Sequence, residues 1–472
     1  MQIYNKLYIN GAWVAPHGVE THHVINPATE QVTARVPMGD AEDVNRAVAA
    51  AKAAFDSWSN TSAQTRCQLI NRIADRMEAR KAELVDAISQ SMGCPAQMTA
   101  ELQVEGPIYG MRSYAERAFN MEQQQQAGSS LIFKEAVGVC AFINPWNYPL
   151  HQFVGKVAPA LAAGCTMIVK PAEQTPLQDL IMAEIMDEVG LPAGVFNLVI
   201  GSGPEVGATM SSHPNVDMVS FTGSTRAGIK IAEAAAPTVK RVTQELGGKS
   251  PFIITESADL AKAVAYGVDD VMINTGQTCT ALTRMLVPQS RYQEAVALAK
   301  QHAESLTIGT DDAFMGPMCS AQQQQTVLRY IEKGLEEGAT LVTGGTDKPA
   351  GLDTGFYIQP TIFADVNNQM TIAREEIFGP VLCMIPYRDL EDAVAIANDT
   401  PYGLSSGVYA ADREEALTIA KRLRAGLCFI QGAGFNYDAP FGGFKQSGNG
   451  REFGDAGLHE YVELKSVQLG DG

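Results

Sequence analysis

Residues 166–234 read TMIVKPAEQTPLQDLIMAEIMDEVGLPAGVFNLVIGSGPEVGATMSSHPNVDMVSFTGSTRAGIKIAEA. Three short apolar runs, 166–169, 195–200 and 216–221, alternate with helix-like stretches at 177–189, 205–210 and 225–234. Strand–helix alternation at this spacing predicts a parallel, doubly wound sheet. Such sheets bind ligands at the carboxyl ends of their strands. Upstream, 137–143 continues the pattern as a strand and 150–163 as an apolar helix. Downstream, 251–430 repeats it: strand 252–254, helix 260–271, strand 285–287 and a helix from Tyr292, which predicts a second α/β domain. The N-terminal part reads as helical after a short β start. Asp40, with Asp43 three residues on, caps a helix whose apolar face is Val44, Ala47, Val48, Ala51 and Phe55. A second, longer helix is expected through Leu69, Ile70, Ile73, Met77, Leu84, Val85 and Ile88. Gln123–Gln126, followed by Ala-Gly-Ser-Ser, is a polar break. The segment 461–469 alternates polar and apolar residues, as an exposed strand does.

The bulk numbers narrow the class. A chain of 472 residues is too long for one ordinary core, so two or three domains are expected. Apolar residues at 46% and charged residues at 19% describe a compact fold rather than a disordered one. A formal charge of −18 argues against nucleic-acid and anionic-membrane partners, which need basic patches. No apolar leader and no run long enough for a membrane span are read from the chain. Its eight cysteines form no CxxC pair, as expected of reduced thiols in a cytoplasmic protein. Seven of them, Cys67, Cys94, Cys140, Cys165, Cys319, Cys383 and Cys428, read as structural.

Cys279 differs. It lies in Asn274-Thr275-Gly276-Gln277-Thr278-Cys279-Thr280, among small and polar neighbours suited to close backbone approach. Glu245 ends the strand-like run 239–243 and is followed by Leu246-Gly247-Gly248-Lys249, which turns the chain. Asn147 sits in Pro145-Trp146-Asn147-Tyr148-Pro149, where two prolines stiffen the backbone and two aromatics supply apolar walls. A thiol nucleophile, a carboxylate base and an amide donor suffice for covalent chemistry at a carbonyl carbon. One such donor is worth ~3–4 kcal/mol in another enzyme class. Taken singly, the three also fit a core thiol, a surface acid and a turn amide. Three strand ends add weight. Lys170-Pro171-Ala172-Glu173 could meet ribose hydroxyls. Gly201-Ser202-Gly203-Pro204-Glu205-Val206-Gly207 departs by one residue from the usual dinucleotide spacing. Gly223-Ser224-Thr225 opens a helix, where a phosphate is favoured.

With these motifs in order, and with Glu375-Glu376-Ile377-Phe378-Gly379-Pro380 and Pro440-Phe441-Gly442-Gly443-Phe444-Lys445-Gln446-Ser447-Gly448 after them, the chain resembles the NAD(P)-dependent aldehyde dehydrogenase superfamily nearly end to end. The resemblance implies a variant Rossmann cofactor domain (1–122 and 142–247), an α/β catalytic domain (248–446) and a small β oligomerisation arm (123–141 and 453–472). It implies Cys279 as nucleophile, Glu245 as the base for a deacylating water, and Asn147 with the Cys279 N–H as oxyanion hole. Lys170 and Glu173 match adenosine-ribose contacts, Ser224 a pyrophosphate contact, Glu376 a nicotinamide-ribose contact and Phe378 the nicotinamide end. Trp146, Gly203 and Gly223 are counted with the cofactor site. Lys156 and Glu452 match a proton path behind the base, and a structural ion pair explains them as well. Tyr148, Phe153, Phe435 and Phe441 match walls of the aldehyde tunnel. Met111, Arg112 and Tyr114 match its mouth, with Arg112 a candidate for an anionic tail, and Gly155 implies room for a bulky aldehyde. NAD is the expected cofactor, since Glu173 would repel a 2′-phosphate; NADP stays open because Lys170 would attract it. No metal is expected. The partner is a small aldehyde, and the assembly a homodimer or homotetramer. Two other readings are a CoA-acylating enzyme, against which Glu245 argues, and structural use of the scaffold in the manner of a crystallin.

Overall fold

A computed structural model describes residues 1–470. The expected strands form as Thr166–Lys170, Phe196–Leu198 and Met218–Thr222. Together with Val139–Ile143 and Arg241–Glu245 they make the parallel centre of an eight-stranded sheet. Leu7–Ile9, with Ala12–Val14 outside it, and Gly448–Asn449 close its two sides with antiparallel pairing. The central strands Val139–Ile143, Thr166–Lys170 and Met218–Thr222 are buried at every residue, because helices cover both faces. Helix Pro149–Ala163 is one of those covers, and every residue in it is buried except His151.

The chain leaves this sheet at Glu245 and enters a second, seven-stranded sheet at Pro251. There Thr361–Ala364, Val381–Tyr387, Arg284–Pro288, Pro251–Ile254, Gly407–Tyr409 and Phe429–Ile430 run parallel, with Thr340–Thr343 antiparallel at one edge. A mixed α/β molecule with a variant Rossmann sheet and a second α/β sheet is therefore the fold. A third, small sheet pairs Val462–Gln468 with Ser130–Ala136 and Gln125–Ala127. Beyond Val462 this strand is exposed at every position, with Leu464 68% accessible. Among the described residues no helix is long and apolar enough to cross a membrane.

Local physics explains where the sequence reading holds and where it fails. Asp40 and Asp43 form a reciprocal capping box at the start of Ala41–Ser59, as their spacing predicts. The single helix expected through 69–88 is two helices, Ala63–Ala79 and Lys81–Met92. Arg80 leaves the helical region between them, at φ −105° and ψ 18°. Its guanidinium pairs with Glu83, Glu184 and Glu188, which fixes the elbow. The apolar repeat continues across the elbow because both helices face one core, so periodicity alone does not see the break. The third sheet covers less than the expected arm, 123–141 and 453–472. Residues Val139–Ile143 belong to the eight-stranded sheet, and Phe453 and Leu458 are buried in the first core.

Candidate active site

The segment bearing Cys279 is placed by backbone strain. Asn274, Thr275 and Gly276 take φ values of 52°, 56° and 71° in succession. A Cβ on Gly276 would lie 2.1 Å from the Gly379 carbonyl carbon, so only glycine fits. The strained turn is pinned from several sides. Asn274 Nδ2 donates to the Asn147 carbonyl (3.1 Å) and Thr275 Oγ1 to the Gly316 carbonyl (3.0 Å). Asn147 Nδ2 in turn donates to the Gln277 carbonyl at 3.0 Å. An amide NH₂ has two protons, so Asn147 keeps one to offer.

Two cavities meet at Cys279. One, of about 220 Å³, is lined by Trp146, Asn147, Ser224, Glu245, Glu376 and Phe378 among others. The second, of about 310 Å³, is lined by Tyr148, Phe435 and Phe441, and by residues the sequence reading did not single out, His151, Tyr437 and Glu101. Cys279 borders both.

Glu245 ends its strand at the floor of the first cavity, 4% exposed, and neither carboxylate oxygen has a hydrogen-bond partner in the protein. Burial, then the Glu452 carboxylate, push its acid well above the usual carboxylate range, against the pull of Lys156 and Arg451. The Cys279 thiol is pushed up in the same way, first by burial and then by Glu376 and Glu245. Burial thus favours the protonated form of both groups. Behind them Lys156 Nζ lies 2.7 Å from Glu452 and donates to Thr222 Oγ1 at 2.7 Å.

The first cavity suits a dinucleotide. Glu376 accepts from the Gly248 N–H at 3.0 Å and is otherwise free; burial raises its acid to about 7. A Cβ on Gly247 would lie 2.0 Å from Glu376, so the strand-end glycine makes space for that carboxylate. Phe378 is held at φ 58° and stacks edge-on against Trp146, centroids 5.4 Å apart. Ser224 caps Thr225–Ala235, leaving a helix N-terminus facing the cleft. Past it a cavity of about 570 Å³ opens between Gly203, Pro204, Phe221 and Arg226. The broken glycine spacing fits: Gly203 starts an irregular helical turn and has open space where a Cβ would be. Lys170 is held by the Pro171 and Gly201 carbonyls at 2.7 and 2.9 Å. Its partner Glu173, 3.3 Å away, keeps 27% of its side chain exposed and is the freer of the two.

Several tunnel expectations are corrected. Phe153 is fully buried against Phe196, centroids 5.8 Å apart, because it points to the opposite side of helix Pro149–Ala163 from His151. Met111 and Tyr114 are core residues. Arg112 lies outside, paired with Asp75 at 2.8 Å. Gly155 does not open the tunnel: a Cβ there would meet Phe453 and Glu452 at 3.1 Å, and Phe453 occupies the space. Helical spacing from Tyr148 could have found His151, one turn on. Nothing local points to Tyr437 in its loop.

The residues 13–467 match the aldehyde dehydrogenase family model. The chain is 48% identical to a 3-succinoylsemialdehyde-pyridine dehydrogenase of Pseudomonas sp. over 99% of both chains. Among solved structures, it superposes on a point mutant of aldehyde dehydrogenase C from Pseudomonas syringae, complexed with NAD+ and octanal. The TM-score is 0.98 at 48% identity, over 99% of this chain and 97% of that one. An aldehyde dehydrogenase of Mycobacterium tuberculosis with NAD+ matches with TM-score 0.97 at 42% identity, over 100% and 99% of the two chains.

Proposed function

The chain belongs to the aldehyde dehydrogenase family and is an NAD-using oxidoreductase, and from that premise we propose that it converts its aldehyde to the carboxylic acid through a thioester on Cys279. The observation that carries this reading is that Cys279 borders both cavities, with Glu245 at the floor of one and aromatic walls in the other. NAD+, when bound, would supply the hydride acceptor. The residues do the rest. Cys279 gives its proton to water in the cavity and its sulfur adds to the carbonyl carbon. The resulting oxyanion accepts from the spare Asn147 N–H and from the Cys279 N–H. Loss of hydride from that carbon leaves the thioester. Glu245, once deprotonated, takes a proton from water, which attacks the thioester and releases the acid and Cys279. Lys156 and Glu452 give the Glu245 proton a buried route away. An unpartnered Glu245 facing this cavity favours water over CoA as the acceptor.

Glu245→Gln tests the cycle. It is expected to give a burst of one NADH per site followed by a stalled, acylated enzyme, visible as a mass increase. Steady turnover without a burst would sink the base assignment. The exposed strand Val462–Gln468 supports assembly by strand pairing into a homodimer or homotetramer, which sedimentation would show.

A further inference from the structure

We propose that the cavity on the aldehyde side of Cys279 selects uncharged aryl or heteroaryl aldehydes whose ring carries a hydrogen-bond acceptor, held by the His151–Tyr437 pair, and rejects carboxylate-tailed aldehydes. This deepens the dehydrogenase reading and rests on it. Its first support is shape. Phe435 meets Tyr437 at 4.8 Å between centroids and His151 at 5.1 Å, both edge-on. Phe453 backs the group at 4.9 Å from His151 and 5.2 Å from Tyr437. Phe453 does so from a left-handed backbone, φ 61°, with Gly155 beneath its ring. On the other side Gly106 and Gly110 bring their helix against Tyr437: a Cβ on Gly106 would lie 2.2 Å from Tyr437 Oη. The walls are therefore fixed, and edge-on aromatic contacts favour a planar ring between them. At about 310 Å³ the cavity exceeds the roughly 150 Å³ that suffices for benzene in an apolar site.

The second support is hydrogen bonding. His151 Nδ1 lies 3.0 Å from Tyr437 Oη. Burial, then the Lys156 charge, hold the imidazole down to about 3, so it is neutral. In either tautomer the pair keeps one unused donor: His151 Nε2–H if Tyr437 donates, Tyr437 O–H if His151 does. An acceptor on the ring of the aldehyde satisfies it.

The third support is charge. Glu101 is the charged side chain on this wall, and no cation lines it. Lys156 is committed to Glu452 and Thr222, and Arg112 to Asp75. A carboxylate tail would enter beside Glu101 with nothing to neutralise it.

The test is kcat/KM with NAD+ for pyridine-3-carboxaldehyde, benzaldehyde and succinate semialdehyde, in the full chain and in His151→Phe, Tyr437→Phe and Glu101→Lys. The pyridine aldehyde is expected to exceed the semialdehyde by about 100-fold and benzaldehyde by about 5-fold, the size of a neutral hydrogen bond. His151→Phe and Tyr437→Phe each bring the pyridine-to-benzaldehyde ratio to about 1, and Glu101→Lys raises semialdehyde use about 10-fold. A wild-type enzyme that prefers the semialdehyde, or ratios unchanged in both ring variants, overturns the proposal while leaving the dehydrogenase reading intact. NADH formation from none of the three, nor from hexanal, overturns both.

Discussion

On one side of Cys279 the walls come from the ends of parallel strands: Ser224 after Met218–Thr222, Glu245 at the end of Arg241–Glu245, and the Gly247–Glu376 contact at the passage between sheets. On the other side they come from the first turn of one helix, an irregular helical segment at 99–105, and the loop carrying Phe435 and Tyr437. The strand-end side carries two buried carboxylates, Glu245 and Glu376, whose acids are raised by burial. The loop side is aromatic, with a neutral imidazole. Chemistry common to a reaction needs fixed backbone and fixed charge, which a sheet provides. Recognition of one aldehyde needs a shape and a few placed polar groups, which loops can redraw without moving the sheet.

Cys279 belongs to both sides, so its loss is expected to cost most. Cys279→Ala should lower turnover by at least about 10⁴-fold, while NAD+ affinity, measured by fluorescence, stays within about threefold. Retained turnover would remove the link between the cavities. Asn147→Ala acts next, because in the proposed cycle it deletes one oxyanion donor; NADH burst rates should fall on the order of 10²–10³-fold. Equal losses for substrate binding and burst rate would make it structural instead.

Glu376 separates the sides by pH. Its acid is raised to about 7, so the folded protein holds a proton the unfolded chain releases at ordinary carboxylate pH. That contribution is complete at low pH and is lost as pH rises through about 7. Glu376→Gln should therefore lose about 2 kcal/mol less stability than the parent between about pH 5 and 8, allowing for the solvent in the cleft, as read from urea midpoints without cofactor. Parallel pH curves would mean the carboxylate ionises freely. The smallest effect belongs to the loop side. Tyr148→Phe removes the 2.9 Å contact with Thr278 Oγ1 and should reduce kcat/KM about fivefold with burst stoichiometry unchanged.

The same division governs what could be read beforehand. Glu245, Ser224 and Gly223 lie at the ends of strands whose apolar runs are visible, so both their placement and their company in one cavity were predictable. Asp40 and Asp43 were legible because a capping box is a local contact. The single helix through 69–88 was misread because the Arg80 elbow is set by Glu184 and Glu188, about a hundred residues away. Phe153 was misplaced because an aromatic on a buried helix has two sides to face, and only packing against Phe196 shows which.

The sequence alone determined the two α/β units and the family, and singled out Cys279, Glu245 and Asn147 as candidates for its chemistry, because short-range pattern and motif order carry those. The tertiary structure decided that Cys279 borders two cavities, that Glu245 is buried with its oxygens unpartnered, and that His151, Tyr437 and Phe453 close one aromatic box. Those facts depend on segments hundreds of residues apart approaching within a few ångströms, and burial and neighbouring charge exist only once they have.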